Sequence, residues 1–81
     1  MRLEKGSVVR ATAGRDSGGH FVVVTAEENG RCTIADGKSR KLASPKRKNV
    51  KHLRPVNSVI DINDITDKKL RNLLKQFGEA E

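Results

Sequence analysis

The stretch GSVVRATAGRDSGGHFVVV, from Gly6 to Val24, decides the fold predicted for this chain. Two runs rich in β-branched residues, Ser7 to Thr12 and Phe21 to Thr25, lie on either side of a loop that contains glycine at positions 14, 18 and 19. Glycine adopts the positive φ angles that tight turns and bulges require. Residues 6–24 therefore predict a strand, a glycine loop and a second strand.

Three further strands are predicted after this element. Arg31 to Ala35 alternates polar and small apolar residues, as a half-buried strand does, and Asp36-Gly37 is typical of a tight hairpin turn. A fourth strand is expected at Lys38 to Leu42 and a fifth at Val50 to Arg54, with a basic loop between them. Pro55 is expected to end the fifth strand.

Five short strands within about 50 residues are too few for a large sandwich, but a bent sheet can curl into a small barrel around few side chains. The predicted fold is thus mainly β: a small five-stranded barrel over residues 1–57, followed by an extension over residues 58–81. The core is expected to contain Val8, Val22, Val24, Cys32, Ile34, Leu42, Val50 and Leu53.

The extension has the periodicity of an α-helix. Its apolar side chains recur at i, i+3, i+4 and i+7 in one stripe, formed by Leu70, Leu73, Leu74 and Phe77. A helix is expected at about 66–77, with Thr66 as its N-cap, Asp67 in its first turn and Gly78 as its stop. Two roles are open for the stripe: packing on the barrel, or binding another molecule.

The positive charge of the chain is concentrated in its strand-rich part. The net charge of the 81 residues is +7, and long-range attraction then favours an anionic partner. Between Gly37 and Ser58 the sequence contains no acidic residue. Eight cations lie there: Lys38, Arg40, Lys41, Lys46, Arg47, Lys48, Lys51 and Arg54.

The cysteine and histidine content and the lack of a long apolar run disfavour catalytic, metal-binding and membrane functions. One cysteine, Cys32, precludes an internal disulfide and is typical of a reducing cytoplasm. With one cysteine and two histidines at irregular spacing, neither a catalytic constellation nor a zinc site is indicated. No apolar run is long enough to cross a membrane. We expect a cytoplasmic, non-enzymatic protein without a cofactor or a membrane partner, monomeric when free.

Residues 6–24 resemble a KOW motif, the strand–loop–strand element of ribosomal proteins and of transcription-elongation factors that contact RNA or RNA polymerase. The matching positions are Gly14, Gly18, the usually basic Arg15, and the apolar Val8 and Val23; Phe21 stands where many members have a further glycine. Residues 45–53 resemble a segment near the end of the barrel in archaeal and eukaryotic large-subunit ribosomal KOW proteins and in small stand-alone bacterial relatives. The resemblance implies an SH3-like barrel and the binding of RNA, above all ribosomal RNA.

The scarcity of aromatic residues narrows the expected mode of binding. Phe21 and Phe77 are the only aromatic residues of the Phe, Tyr and Trp class, so base stacking is almost unavailable. Contacts to phosphate and ribose remain, which favour structured RNA read by its shape. The candidate RNA-binding residues are Arg10, Gly14, Arg15, Gly18, Lys38, Arg40, Lys41, Lys46, Arg47, Lys48, Lys51 and Arg54.

A second hypothesis comes from a different class of function. SH3-like barrels also bind proteins, and the helix stripe could dock on RNA polymerase or on a ribosomal protein. The near absence of aromatic side chains argues against a groove for proline-rich peptides, because aromatic residues line such grooves. A steep dependence of affinity on salt would distinguish phosphate contacts from an apolar docking surface.

Overall fold

The strands and the helix follow the two periodicities of the sequence. The structure, a computed structural model, describes residues 3–14, 17–27 and 29–79. Its elements are β1 (Ser7–Ala11), β2 (His20–Ala26), β3 (Arg31–Ala35), β4 (Lys46–Asn49), a 3-10 turn (Val50–His52), β5 (Leu53–Val59) and α1 (Asp67–Glu79). The prediction of a mainly β fold with five strands and a C-terminal helix is confirmed.

All five strands form one antiparallel sheet in the order β4-β3-β2-β1-β5. The two strands that flank the glycine loop pair in register, with Val8 opposite Val22 and Val9 opposite Phe21. The sheet is open, because β4 and β5 are its two edges in the part of the chain that is described. The strand order fits the SH3-like fold, although the barrel is not closed.

Both faces of the sheet are buried, because successive side chains of a strand point to opposite faces. One face carries the inner cluster, which consists of Val9, Ala11, Phe21, Val23, Cys32, Ile34 and Leu53. The opposite face carries the helix cluster, which consists of Val8, Val22, Ala35, Ile62, Leu70 and Leu74. Of the predicted core residues, Val24, Leu42 and Val50 are only half-buried.

The helix stripe packs on the sheet. Leu70 is fully buried and Leu74 is 5% exposed, both against the helix face of β1 and β2. Thr66 is the N-cap, since its Oγ1 accepts a hydrogen bond from the Lys69 N–H at 3.2 Å. The helix continues through the predicted stop at Gly78 and ends at Glu79.

The strand predicted at Lys38 to Leu42 is wrong, and this segment is a series of bends and turns. Asp36 explains the difference: its Oδ1 accepts hydrogen bonds from the backbone N–H groups of Lys38 at 2.9 Å and Arg40 at 2.8 Å. The Leu42 N–H donates to Asp67 Oδ1 at 2.8 Å. Local side-chain acceptors thus take the donors that a strand would offer to its neighbour.

The fourth strand forms instead from the residues predicted to be a basic loop. Lys46–Asn49 pairs with β3, with Lys48 opposite Cys32 and Lys46 opposite Ile34. Lysine has a low strand propensity, but pairing and packing in the sheet outweigh it, and charged side chains are common on edge strands.

The fifth strand also begins and ends later than predicted. Val50–His52 forms the 3-10 turn, and β5 runs through Pro55 to Val59. Pro55 lies opposite Val9, and it is tolerated because β5 is an edge strand with one unpaired side. Asn57, at a positive φ of 59°, lies in the bulged part of this strand.

Candidate nucleic-acid interface

The loop between β1 and β2 has a defined shape at its base. The Gly18 N–H donates to the Ala11 carbonyl at 2.8 Å, and the Ala11 N–H donates to the Gly19 carbonyl at 3.0 Å. Gly14 and Gly18 have φ angles of 80° and 89°, in the left-handed region that favours glycine. Both glycines therefore serve the turn geometry, while Arg15 lies outside the described residues.

Lys48 brings the basic segment against this loop. Its Nζ donates a hydrogen bond to the Ala13 carbonyl at 3.2 Å, across 35 positions of the sequence. A Cβ on Gly14 would lie 3.3 Å from the same nitrogen, so the absence of a side chain there leaves room for the ammonium group. The two segments that carried the KOW resemblance are thus in direct contact.

Three more of the candidate cations lie beside the loop. Arg10 and Arg54 are opposite each other on β1 and β5, and both line a shallow depression of about 250 Å³ together with Gly18. Lys51, Arg54 and Thr12 line an adjacent depression of about 270 Å³. None of the described residues that line these two depressions is acidic. Like charges on neighbouring strands repel each other, and a phosphate bound between them would offset that repulsion.

We call this region the loop surface. It comprises Arg10, Thr12, Gly14, Ser17, Gly18, Lys48, Lys51 and Arg54. Four of its eight residues are cations, and the other four are threonine, serine or glycine. Such a surface can bind phosphate oxygens through side chains and backbone N–H groups, without reading base sequence.

Lys46 and Arg47 lie on the edge strand β4 and line neither depression of the loop surface. Both are exposed, and Arg47 points to the opposite face of the strand from Lys46 and Lys48 because side chains alternate. The Arg47 Nη2 forms an ion pair with Glu27 Oε1 at 2.8 Å. Arg47 therefore has a carboxylate partner that a phosphate would have to displace.

The third group of candidate cations lies in the connection between β3 and β4 and consists of Lys38, Arg40 and Lys41. The backbone bonds to Asp36 hold the first two in a tight bend. Lys38 and Lys41 are exposed, and Arg40 is half-buried. No acidic residue interrupts the cations between residues 38 and 54 in the sequence. In the structure they are nevertheless divided among three parts of the surface.

Sequence reasoning missed several residues that line these surfaces. Thr12 and Ser17 accompany the loop cations, and the signal for them was their position close to the loop glycines Gly14 and Gly18. Lys68, Arg71 and Lys75 lie along α1 and line a groove with Lys38. Their i, i+3, i+7 spacing places them along one side of a helix and could have indicated a basic helix face. It was overlooked because residues 56–81 as a whole have no excess of positive charge.

Cys32 has the properties of a core side chain. It is fully buried, and burial, with a smaller effect of the Glu27 carboxylate, raises the pKa of its thiol. Since the thiolate is the reactive form, a raised pKa disfavours nucleophilic chemistry. Among the described residues no group of three or more His, Cys, Asp or Glu side chains is placed to hold a metal ion.

In the described part of the chain, α1 is too short and too polar to cross a membrane. Comparison of the sequence with models of known protein families, and with curated proteins, finds no match.

Proposed function

We propose that this protein binds structured RNA, specifically ribosomal RNA, through phosphate contacts made by the loop surface. One contact supports the proposal most strongly: Lys48 Nζ lies 3.2 Å from the Ala13 carbonyl. This contact joins the glycine loop and the basic segment, the two parts of the chain that resemble KOW proteins. It supports the KOW resemblance as well as the RNA-binding role.

The chemistry of the loop surface favours RNA over a protein partner. Lys51 and Arg54 are exposed, and guanidinium and ammonium groups are the usual donors to phosphate. Exposed backbone at glycine allows a close approach of another backbone. With no Tyr or Trp and only two Phe, the chain has few aromatic side chains to hold unstacked bases, so we expect binding by shape and charge.

The alternative hypothesis, a protein-interaction module that docks on RNA polymerase or a ribosomal protein through its helix stripe, has less support from the structure. Leu70 and Leu74 are buried in the helix cluster, and Leu73 and Phe77 are half-buried. Leu70, Leu74 and Phe77 of the stripe therefore pack against the sheet of the same chain. We propose no protein partner for it.

The test is equilibrium binding of the purified protein to a structured rRNA fragment and to a DNA duplex of equal length, across a salt series. If the four cations of the loop surface contact phosphate, the logarithm of the affinity falls with the logarithm of salt concentration with a slope of about −3 to −4. Tighter binding to the RNA with such a slope supports the proposal. Weak binding, or equal binding to both nucleic acids, contradicts specific RNA recognition.

Two variants of equal charge locate the interface. Lys51→Ala with Arg54→Ala removes two cations from the loop surface, and we expect the slope to become shallower by about 1.5. Lys5→Ala with Lys69→Ala removes two exposed cations elsewhere and is the matched control, with a smaller expected change. Equal effects of the two double variants would show that net charge, rather than the loop surface, determines binding.

A single variant, Lys48→Met, tests the Lys48 ammonium group alone. Methionine keeps an apolar side chain at this half-buried position but removes the charge.

A further inference from the structure

A second basic surface lies between α1 and the connection from β3 to β4. It is an open groove of about 590 Å³, which we call the helix groove, lined by His20, Asp36, Lys38, Lys68, Arg71, Asn72, Leu74 and Lys75. Four of these eight residues are lysine or arginine. They come from a strand connection and a helix that are separated in sequence by the whole of β4 and β5.

Packing at Gly37 positions the two walls of the groove. A Cβ at Gly37 would collide with the carbonyl oxygen of Asp67 and approach Arg71 Cγ to 3.2 Å. The start of α1 therefore rests on the backbone of the β3–β4 connection, with the Arg71 stem beside it. Because Gly37 is next to Lys38 in the chain and against Arg71 in space, this contact places Lys38 and Arg71 on opposite walls of the same groove.

The charge of the helix groove is strongly unbalanced. Lys38, Lys68, Arg71 and Lys75 are exposed, and none of the four forms an ion pair with another described residue. Asp36, the one carboxylate among the described residues that line the groove, already accepts two backbone hydrogen bonds through its Oδ1. An anionic ligand would therefore meet four cations with one engaged carboxylate nearby.

The arrangement of the cations indicates the shape of the ligand. Lys68, Arg71 and Lys75 follow one another along α1, and at about 1.5 Å rise per residue they span about 10 Å. They form a row rather than a ring. A row of charges matches successive phosphates of a nucleic-acid strand better than it matches one small phosphorylated molecule, which needs convergent donors.

The helix groove is connected to the loop surface by one row of side chains. Arg54, Arg10 and His20 occupy opposite positions on β5, β1 and β2, and neighbouring strands are about 4.8 Å apart. All three point to the face that carries α1, since each is two residues from a member of the helix cluster or from a residue packed on it. The His20 ring is stacked with Phe77 of α1, with centroids 6.4 Å apart.

We propose that the helix groove is a second RNA contact, which binds the phosphate backbone of the same RNA that the loop surface binds. The RNA follows the row of Arg54, Arg10 and His20 from one surface to the other. This inference rests on the proposed RNA-binding function, and it adds Lys68, Arg71 and Lys75 to the interface.

The test compares variants at both surfaces for binding to the structured rRNA fragment, with the fold of each checked by circular dichroism. Lys68→Ala with Lys75→Ala removes the ends of the helical row, and alanine preserves the helix. We expect affinity to fall on the order of tenfold at about 0.1 M salt, with a salt slope shallower by about 1.5. Lys5→Ala with Lys69→Ala is again the control, since Lys69 lies on α1 but outside the groove.

The outcomes separate this inference from the function it rests on. If the groove variant binds like the control while Lys51→Ala with Arg54→Ala is impaired, the helix groove is not a contact and the proposed function stands. If the unmodified protein binds RNA weakly or without a steep salt dependence, the proposed function fails. As a second readout, titration with the RNA should shift the amide NMR signals of Lys68, Arg71 and Asn72, and unchanged signals there would overturn the inference.

Discussion

At the residue scale, glycine is needed for two different reasons: a positive φ angle and a close approach of another backbone. Gly18 has a φ of 89°, and a Cβ there would meet nothing within 4 Å. Gly37 has a φ of 77°, and a Cβ there would collide with the Asp67 carbonyl at the start of α1. Both need glycine for backbone conformation, but Gly37 also needs it for space.

We therefore expect Gly37→Ala to destabilise the protein more than Gly18→Ala. The strain of a left-handed residue costs about 1–2 kcal/mol at either position. The collision at Gly37 adds to that cost, for a total of about 2–4 kcal/mol. Urea denaturation followed by circular dichroism measures the difference, and equal losses in the two variants would contradict the importance of the close approach.

At the scale of elements, pairing partners outweighed intrinsic propensity. Lys46–Asn49 is a strand because β3 offers it a ladder of hydrogen bonds, although its composition predicts a loop. Lys38 to Leu42 is not a strand because Asp36 and Asp67 side chains accept its N–H groups. Three hydrogen bonds from backbone N–H groups to aspartate side chains thus prevent a strand at Lys38 to Leu42. The fourth strand forms several residues later, at Lys46–Asn49.

The helix depends on its packing, since isolated helices of about this length are marginal in water. Leu70 is fully buried and Leu73 only half-buried. Leu70→Ala should therefore reduce the free energy of unfolding by about 2–5 kcal/mol, and Leu73→Ala, the control on the same helix, by clearly less. Thermal unfolding monitored at 222 nm would show this. A loss below about 1 kcal/mol for Leu70→Ala would contradict the packing of α1 on the sheet.

At the scale of the whole molecule, one sheet separates two apolar clusters, and α1 covers the second. Val8 and Val22 are almost completely buried on the face below the helix. Without α1 both would be exposed to water, together with Ala35. The division into a barrel over residues 1–57 and an extension over residues 58–81 falls inside β5, which ends at Val59.

A shortened chain of residues 1–61 tests whether the strands fold without the helix. It retains all five strands but lacks Ile62, Leu70 and Leu74, and small domains have little stability to lose. We expect its amide NMR spectrum to collapse into the narrow range of an unfolded chain. A well-dispersed spectrum would show that residues 1–61 fold independently.

Much of this protein could be derived from its sequence alone. Runs of β-branched residues predicted β1 and β2, alternation of polar and small apolar residues predicted β3, and the 3.6-residue period predicted α1, because these patterns are local consequences of backbone geometry. The glycines located the loop, and the absence of acidic residues between Gly37 and Ser58 showed where the cations are concentrated along the chain. These features depend on residues close together in the chain.

The tertiary structure alone decided which distant groups meet. Lys48 lies at Ala13, Leu42 bonds to Asp67, and Arg71 rests beside Gly37. The position of β4, the open edge of the sheet and the helix groove all follow from such contacts. Their physical reason is the same in each case: a hydrogen bond or a close approach between remote segments has no periodic signal along the chain, and it is settled when the sheet and the helix pack together.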